Sequence, residues 1–307
     1  MRLTFPCSPS HPPDPEALRD SGGVVHPNWL SIAVRLLRLV PPGTRGKTRL
    51  GRLLLKGHRT TGDVEIVDRF GLRFSVPSLS EPIAFHLLID GVYEPDVLSF
   101  ILRYLEPSAV FVDVGASIGS LTIPVAHTLA PRGRVVAIEA SGRIFPYLSR
   151  NAAVNALQNV QCVHSAVSDR EGNVEFYEAP VDHFGMGSMG PQFHAQPSQV
   201  PGRTLDHILA EAGVTRVDVL KIDVEGFEAK VLSGAKQLLR DRHPPLIIFE
   251  FIDWAEARLS GGGPGTAQRR LREWGFKVWR LGDFVRGRPE LSDIVTVGNE
   301  MLVATRG

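Results

Sequence analysis

Two acidic residues stand where short apolar runs end: Asp223 closes VLKID and Glu250 closes LIIFE. In open α/β sheets, ligands bind outside the carboxyl ends of the strands, so these two side chains are expected to converge on one site. A carboxylate there takes a proton from a reacting hydroxyl or holds a cationic part of a ligand. Lys221, two residues earlier, points to the same side of its strand and is expected to pair with an acid. Glu225 and Glu228 follow at once, either as further members of the site or as first-turn acids that favour the positive end of a helix. Between Val181 and His194 lies a Gly-, Met- and His-containing stretch without clear periodicity, which reads as a lid or binding loop touching an acceptor. Its His183 and His194 titrate near neutral pH and suit a general base, or are merely exposed. No spacing motif supports a metal bound by Asp223, Glu250 and a histidine, so no metal is expected.

A second constellation precedes these. The run AVFVDV ends in Asp113-Val-Gly115-Ala116-Ser117-Ile-Gly119-Ser, and the helix-compatible LTIPVAHTLA follows. Glycines at such a turn let backbone approach a ligand closely and aim free N–H groups at it. The next apolar run, VVAIEA, carries Glu139 where a Rossmann-type fold places a carboxylate on ribose hydroxyls. The dinucleotide fingerprint would need glycines at 117 and 120, where Ser117 and Ser120 stand, and no Gly-Lys-Ser/Thr follows a strand. Hydride transfer and Walker-type phosphate binding are therefore disfavoured.

The elements that must position these groups follow from the pattern. AVFVDV, RVVAIEA, VQCVHSAV, VDVLKIDV and PLIIFEF are short apolar runs separated by helical segments, as in a parallel sheet covered on both faces. FKVWRL and MLVATR read as a closing hairpin that adds an antiparallel pair. Upstream, DVEIVD and LRFSVP alternate around an Arg-Phe-Gly turn as a β-hairpin, and Gly91 and Pro95 divide Pro82 to Leu105 into two short helices. The first 28 residues, rich in Pro, Ser and Gly, read as a mobile arm. This gives an arm (1–28), a basic helix and hairpin extension (29–89) and a Rossmann-like domain (90–307).

Composition narrows the classes. The chain has 307 residues, 43% hydrophobic, with a net charge of +1, which gives no whole-molecule reason to expect nucleic acid. Between Ser21 and Gly62 there is no Asp or Glu, while Arg35, Arg38, Arg45, Lys47, Arg49, Arg52, Lys56 and Arg59 supply eight positive charges. Leu30 to Val40 has the spacing of a short amphipathic helix, so residues 30–59 either pack on the main domain or touch an anionic membrane surface from one side. Two cysteines, Cys7 and Cys162, far apart, argue neither a disulfide framework nor a zinc site, and no secretory signal is evident. A cytoplasmic protein is expected, at most peripheral to the membrane.

The blocks VFVDVGASIGSLT (110–122), VVAIEAS (135–141), SAVSDREG (165–172), TLDHIL (204–209), VLKIDVEGFEAKVLSGA (219–235) and PPLIIFEF (244–251) resemble, in order and spacing, the FkbM family of S-adenosylmethionine-dependent methyltransferases. Ser117 departs from the family's usual Asn, and Ala140 from its common Pro. The resemblance implies a class I Rossmann-like α/β fold with a mostly parallel seven-stranded sheet. It implies that Asp113, Gly115 and Gly119 hold the methionine portion of the cofactor, with Ala116 and Ser117 binding through backbone, and that Glu139 binds the ribose. Ala166, Val167 and Ser168 would lie near the adenine, with Asp169 reading its amine or capping a helix. Asp223 would be the base or a ligand for the cofactor's amino group.

The expected reaction is O-methylation of a sugar, glycolipid or polyketide-like hydroxyl, an in-line displacement accelerated largely by alignment. Methylation of nucleic acid or protein nitrogen is disfavoured because Asp-Val-Glu-Gly stands where an Asn/Asp-Pro-Pro-aromatic turn is common. Cytosine C5 chemistry lacks a suitable cysteine. A non-catalytic binding module with a basic surface is the remaining rival, and steep release by salt would reveal it.

Overall fold

The computed structural model describes residues 18–20, 28–55, 63–191, 196–258 and 263–306. A three-stranded antiparallel sheet opens the chain: β1 (Leu18–Asp20), β2 (Val64–Val67) and β3 (Arg73–Val76), in that order. The β2–β3 hairpin is the expected one. Asp68 builds its turn, its Oδ1 accepting from Phe70 N and Leu72 N at 2.8 Å each. Leu18–Asp20 belongs to the stretch read as an arm, yet pairs with β2; the rest of that arm before Asn28 lies outside the described residues.

Helices α1 (Asn28–Leu39) and α2 (Lys47–Leu54) lie between β1 and β2, and α3 (Pro82–Asp90) and α4 (Pro95–Tyr104) lead from β3 to the main sheet. The last two are the expected pair. Gly91 ends α3, and Pro95, lacking an N–H, starts α4 where that donor would be unused. Then come β4 (Val110–Val114), α5 (Thr122–Leu129), β5 (Arg134–Glu139), α6 (Phe145–Val154) and β6 (Val160–His164). A short β7 (Ala166–Val167), β8 (Gly172–Phe176), a 3-10 turn (Val181–Met186) and β9 (Ser198–Arg203) follow, and then α7 (Leu205–Glu211), β10 (Val219–Ile222), α8 (Glu228–Ser233) and α9 (Lys236–Arg240). The chain closes with β11 (Leu246–Ile252), α10 (Asp253–Ala257), α11 (Thr266–Glu273), β12 (Lys277–Arg280), α12 (Leu281–Val285) and β13 (Asn299–Thr305).

The main sheet has the order β12-β13-β11-β10-β4-β5-β6. Its seven strands are parallel except β13, which inserts between β12 and β11 and runs against both. The closing pair is thus antiparallel as expected, but only its second strand opposes the sheet. Alternate residues serve opposite faces. Phe111, Val135, Val219 and Ile248 pack with α3, α4 and α5, whereas Val112, Val136, Leu220 and Ile247 pack with α7, α8 and α11. Val34 and Leu37 of α1 and Phe74 of β3 share the first of these cores, so the extension is welded to the sheet's helical layer.

One expectation about strands needs correction. VQCVHSAV does not form one strand: at Ser165 the chain leaves the main sheet, and β7 pairs with β9 in a small sheet of order β7-β9-β8. Asp169 accordingly caps no helix; it accepts from Ser168 Oγ at 3.1 Å.

Asn151 of α6 ties the hairpin to the glycine-bearing turn. Its Oδ1 accepts from Ser75 N at 2.7 Å, and its Nδ2 donates to Ser75 O at 3.1 Å and Ile118 O at 2.9 Å, with the side chain fully buried. Asn151→Ala leaves buried backbone groups without partners, and thermal unfolding should show a loss of about 2–4 kcal/mol. Asn151→Asp, which keeps the acceptor, should lose the two donated bonds and fall short of wild type as well.

Candidate active site

The ends of β4, β5, β10 and β11 form one cavity wall, with the α3–α4 junction and the segment around the 3-10 turn opposite. Gly115 explains how two strand ends come so close. A Cβ on it would lie 1.8 Å from the Asp223 carbonyl oxygen, and its φ of +81° is one that L side chains rarely adopt. Gly115 N and Ala116 N both donate to Ile138 O at 3.0 Å, which fastens the turn to β5. Glu139 completes the clasp: Oε2 accepts from Ser117 N at 2.8 Å and Oε1 from Ser141 N at 2.7 Å. Burial raises the Glu139 carboxyl to about 7, against the pull of these two N–H bonds. Ser117 sits at φ +51°, a left-handed conformation that Asn tolerates better than Ser, so the departure at this position has a backbone cost.

Beneath the turn runs a chain of charges. Thr122 Oγ1 donates to Asp113 Oδ2 at 2.6 Å; Lys221 Nζ lies 3.4 Å from Asp113 Oδ1 and 3.2 Å from Asp223 Oδ2. Burial opposes a charge on Lys221, but the carboxylates of Asp223, Asp113 and Glu94 outweigh it and hold the ammonium protonated. Glu250 is hydrogen-bonded to Asp223. Burial first, and the Asp223 charge second, push its carboxyl up to about 11. At neutral pH Glu250 therefore keeps its proton in its hydrogen bond to Asp223.

Three acidic or phenolic residues at this cavity are invisible to strand-end reasoning. Glu94, at φ +44° immediately before α4, lines the cavity, and its Oε2 is buried with no hydrogen-bond partner among the described residues. Burial, then the Asp223 charge, raises its carboxyl to about 7. Tyr93 beside it is also buried enough that its phenol titrates well above the usual value, with Glu94 and Asp223 adding to the effect. Glu81 caps α3: its Oε2 accepts from Ile83 N at 2.5 Å and Ala84 N at 3.2 Å, and the carboxyl also accepts from Gly185 N in the 3-10 turn. The local signals near these residues are the helix start at Pro82 and the break at Gly91–Pro95, which mark boundaries and not their contents.

Other expected residues fall on or off the wall. Ala116, Ser117, Ala166 and Val167 line the cavity. Gly119 lies behind it, packed on Ile123 and Leu148 as the chain enters α5, and Ser168 is packed away beside Gly234. His183 is not brought to the wall. Phe184 and Met186 take the inward positions of the turn, and the half-exposed imidazole pairs with Asp182 at 3.3 Å. His194 lies outside the described residues. Glu228 begins α8 with Oε1 accepting from Val224 N and Gly226 N at 3.2 Å each, while Glu225, at φ +55°, faces the cavity. Oxygens of Asp223, Glu225 and Glu250 come within 4.8 Å of one another, a spacing that would also admit a cation; no histidine is among them.

The cavity suits a cationic ligand. Its floor carries more carboxylates than the single Lys221 can balance, and the buried Glu94 Oε2 and Ser117 Oγ await partners. These buried acids also set a pH dependence. Burial raises Glu139 to about 7 and Glu228 to about 8, so the folded state binds more protons than the unfolded chain above the ordinary carboxylate range. Their contribution is fully present below about pH 4.5 and is lost as pH rises through 7 to 8. Melting of the ligand-free protein should therefore fall by on the order of 5 °C between pH 6 and pH 8.5; a flat or rising profile would contradict these burials.

The profile of the methyltransferase FkbM domain matches residues 113–278. Among curated relatives, AMB antimetabolite synthetase AmbE of Pseudomonas aeruginosa is 28% identical over 237 residues, covering 65% of this chain and 11% of that protein. Hexuronic acid methyltransferase AglP of Haloferax volcanii is 26% identical, covering 57% of this chain and 68% of that one. The 2-O-methyltransferase NoeI of Sinorhizobium fredii is 27% identical, covering 44% and 60%. The chain thus spans a small part of the first relative and about two thirds of the other two. Among solved structures, methyltransferase FkbM from Methylobacillus flagellatus aligns at TM-score 0.40 and 17% identity, covering 73% of this chain and 52% of that one. With the matched domain spanning β4 to β12 and therefore every strand end at the cavity, the chain belongs to the FkbM family of S-adenosylmethionine-dependent methyltransferases.

Proposed function

We propose that this chain transfers a methyl group from S-adenosylmethionine to a hydroxyl of a sugar or other glycan-like acceptor. One observation carries the reading: two hydrogen-bonded carboxyl groups, Asp223 and Glu250, stand on the same cavity wall as the Gly115–Ser117 turn and Glu139. The names of two relatives, a hexuronic acid methyltransferase and a 2-O-methyltransferase, support the acceptor class. When bound, the cofactor supplies an electrophilic methyl on a positively charged sulfur. Glu139 accepts from the ribose hydroxyls with the lone pairs that Ser117 N and Ser141 N leave open. Asp113 and Glu94, which line the same cavity, would hold the cofactor's ammonium group. Asp223, paired with Lys221 and hydrogen-bonded to protonated Glu250, would accept the hydroxyl proton as the methyl group leaves sulfur for the acceptor oxygen. Tyr93, Glu81 and Met186 line the acceptor's side of the cavity. In this reading His183 takes no part in the chemistry, residues 90–307 are the catalytic domain, and residues 29–89 are its extension.

The test is transfer of label from methyl-labelled cofactor to a panel of uronic acids, hexose glycosides, peptides and RNA. Label on a sugar oxygen, with S-adenosylhomocysteine released in equal amount, is the expected result. Label on RNA or peptide nitrogen would sink the acceptor assignment. Chelation supplies a separate check. A hydrogen bond between Asp223 and Glu250 needs no metal, so turnover in EDTA should stay within about twofold of that in magnesium; a loss restored by magnesium would assign the three clustered carboxylates to a cation.

A further inference from the structure

Among the described residues, six of the thirteen exposed large apolar side chains lie on or next to α1 and α2. Ile32 (57% exposed), Leu36 (60%) and Leu39 (80%) recur at helical spacing on α1, and Leu50 and Leu53 (64%) continue the patch on α2. Both helices rest on α3. Val34 and Leu37 enter the core beneath α1, and Gly51 brings α2 so close that a Cβ would lie 3.1 Å from Ile89 and Phe85. With their inner faces so used, the apolar side chains point away from the body of the protein.

The cations nearby divide into two groups. Arg38 and Lys47 are structural: Arg38 donates to the Leu88 and Leu87 carbonyls at 2.8 and 3.0 Å, and Lys47 pairs with Asp90 at 2.6 Å. Arg45 and Arg49 are exposed and flank the apolar residues, as does the exposed Arg52, whose guanidinium lies 5.9 Å from the centroid of the Phe85 ring on α3, and no Asp or Glu occurs anywhere from Ser21 to Gly62.

We propose that this face docks on an anionic lipid bilayer, with the leucines and Ile32 entering the headgroup–acyl boundary and the arginines meeting phosphate-bearing headgroups. The composition is that of a helix lying in the membrane interface, an apolar stripe bordered by arginine. Charge complementarity selects this occupant. In a symmetric contact with a second copy, the arginines of one patch would face those of the other with no carboxylate from this segment between them. A nucleic acid would meet the arginines but leave the large aliphatic side chains in water. Among the described residues no helix is long and apolar enough to cross a membrane, so the contact is one of docking. Because Glu81, Pro82 and Ile83 at the start of α3 line the active-site cavity while the same helix carries α1 and α2, docking would hold the cavity close to the lipid surface.

The full chain should be floated with vesicles of phosphatidylcholine alone and with 30 mol% phosphatidylglycerol. Binding is expected to the anionic vesicles only and to weaken as salt rises. The triple substitution L36E/L39E/L53E should abolish it. The pair R49E/R52E should weaken it at least about 25-fold, on the scale of about 1 kcal/mol per arginine, or fivefold each. Circular dichroism and cofactor binding, both unchanged, would show that these variants fold. Absence of flotation with anionic vesicles would overturn the proposal, as would equal flotation of the folded triple variant. A concentration-dependent dimer lost in the triple variant, without vesicle binding, would give the face to a second copy and overturn it too. None of these outcomes depends on the acceptor.

Discussion

Asp223→Asn should lower kcat by about 10²–10⁴-fold, the range for loss of a positioned general base, while cofactor affinity changes by less than about tenfold. The amide keeps the shape of the side chain and can still hydrogen-bond to Glu250, but it cannot accept a proton from the acceptor. Its neutrality also leaves Lys221 with Asp113, which lies 3.4 Å away, so the ammonium is still paired. Glu250→Gln is the informative companion. It removes the Glu250 carboxyl proton but leaves Asp223 charged, so its effect on kcat should be smaller, within about 100-fold. If Asp223→Asn weakened cofactor binding as much as turnover, the residue would be a ligand for the donor's amino group and the base would lie elsewhere.

Glu139→Ala should weaken cofactor binding by at least about 100-fold, on the scale of two charge-assisted hydrogen bonds of about 1.5–3 kcal/mol each. Two losses combine. The ribose would lose its carboxylate, and Ser117 N and Ser141 N, which Glu139 holds at 2.8 and 2.7 Å, would lose their acceptor. Ser117 is already in a left-handed conformation, so its turn should become mobile when released. Glu139→Gln keeps one carbonyl acceptor but turns the other oxygen into a donor facing an N–H, and should fall between wild type and Ala. Equilibrium dialysis of labelled cofactor reads all three. Equal affinity of Glu139→Ala and wild type would remove this residue from the site.

What could be read in the residues and what could not divides along a physical line. The strands β4, β5, β10 and β11 are buried on both faces, so each is a continuous apolar run, and the acids that end them stand out against it. Strand β8 is short, with only Val174 and Phe176 alternating toward the interior, and β9 buries Val200 and Gly202 but has only one large apolar residue and a proline between them, so neither carries an apolar pattern long enough to mark a strand. The departure of β7 from the main sheet depends on pairing with β9, more than thirty residues away, and the insertion of β13 beside β11 likewise has no local signature. Glu94 feels the charge of Asp223 because the α3–α4 junction lines the same cavity as the strand ends, a proximity that no spacing encodes. Conversely, Lys221 was read correctly as the partner of an acid, because the two-residue period of a strand puts it beside Asp223.

The extension shows the same limit from the other side. Its missing acids and helical spacing were plain in the residues, but they did not say which cations were spent inside the fold. Arg38 and Lys47 are consumed by α3, leaving a smaller, outward set with an apolar stripe between them.

Calorimetric titration of S-adenosylmethionine into the purified chain tests the central claim most directly. One site per chain with a dissociation constant in the micromolar range, lost in Glu139→Ala and retained in Asp223→Asn, is the predicted result. No heat and no shift in melting at millimolar cofactor, with protein shown to be folded, would contradict it.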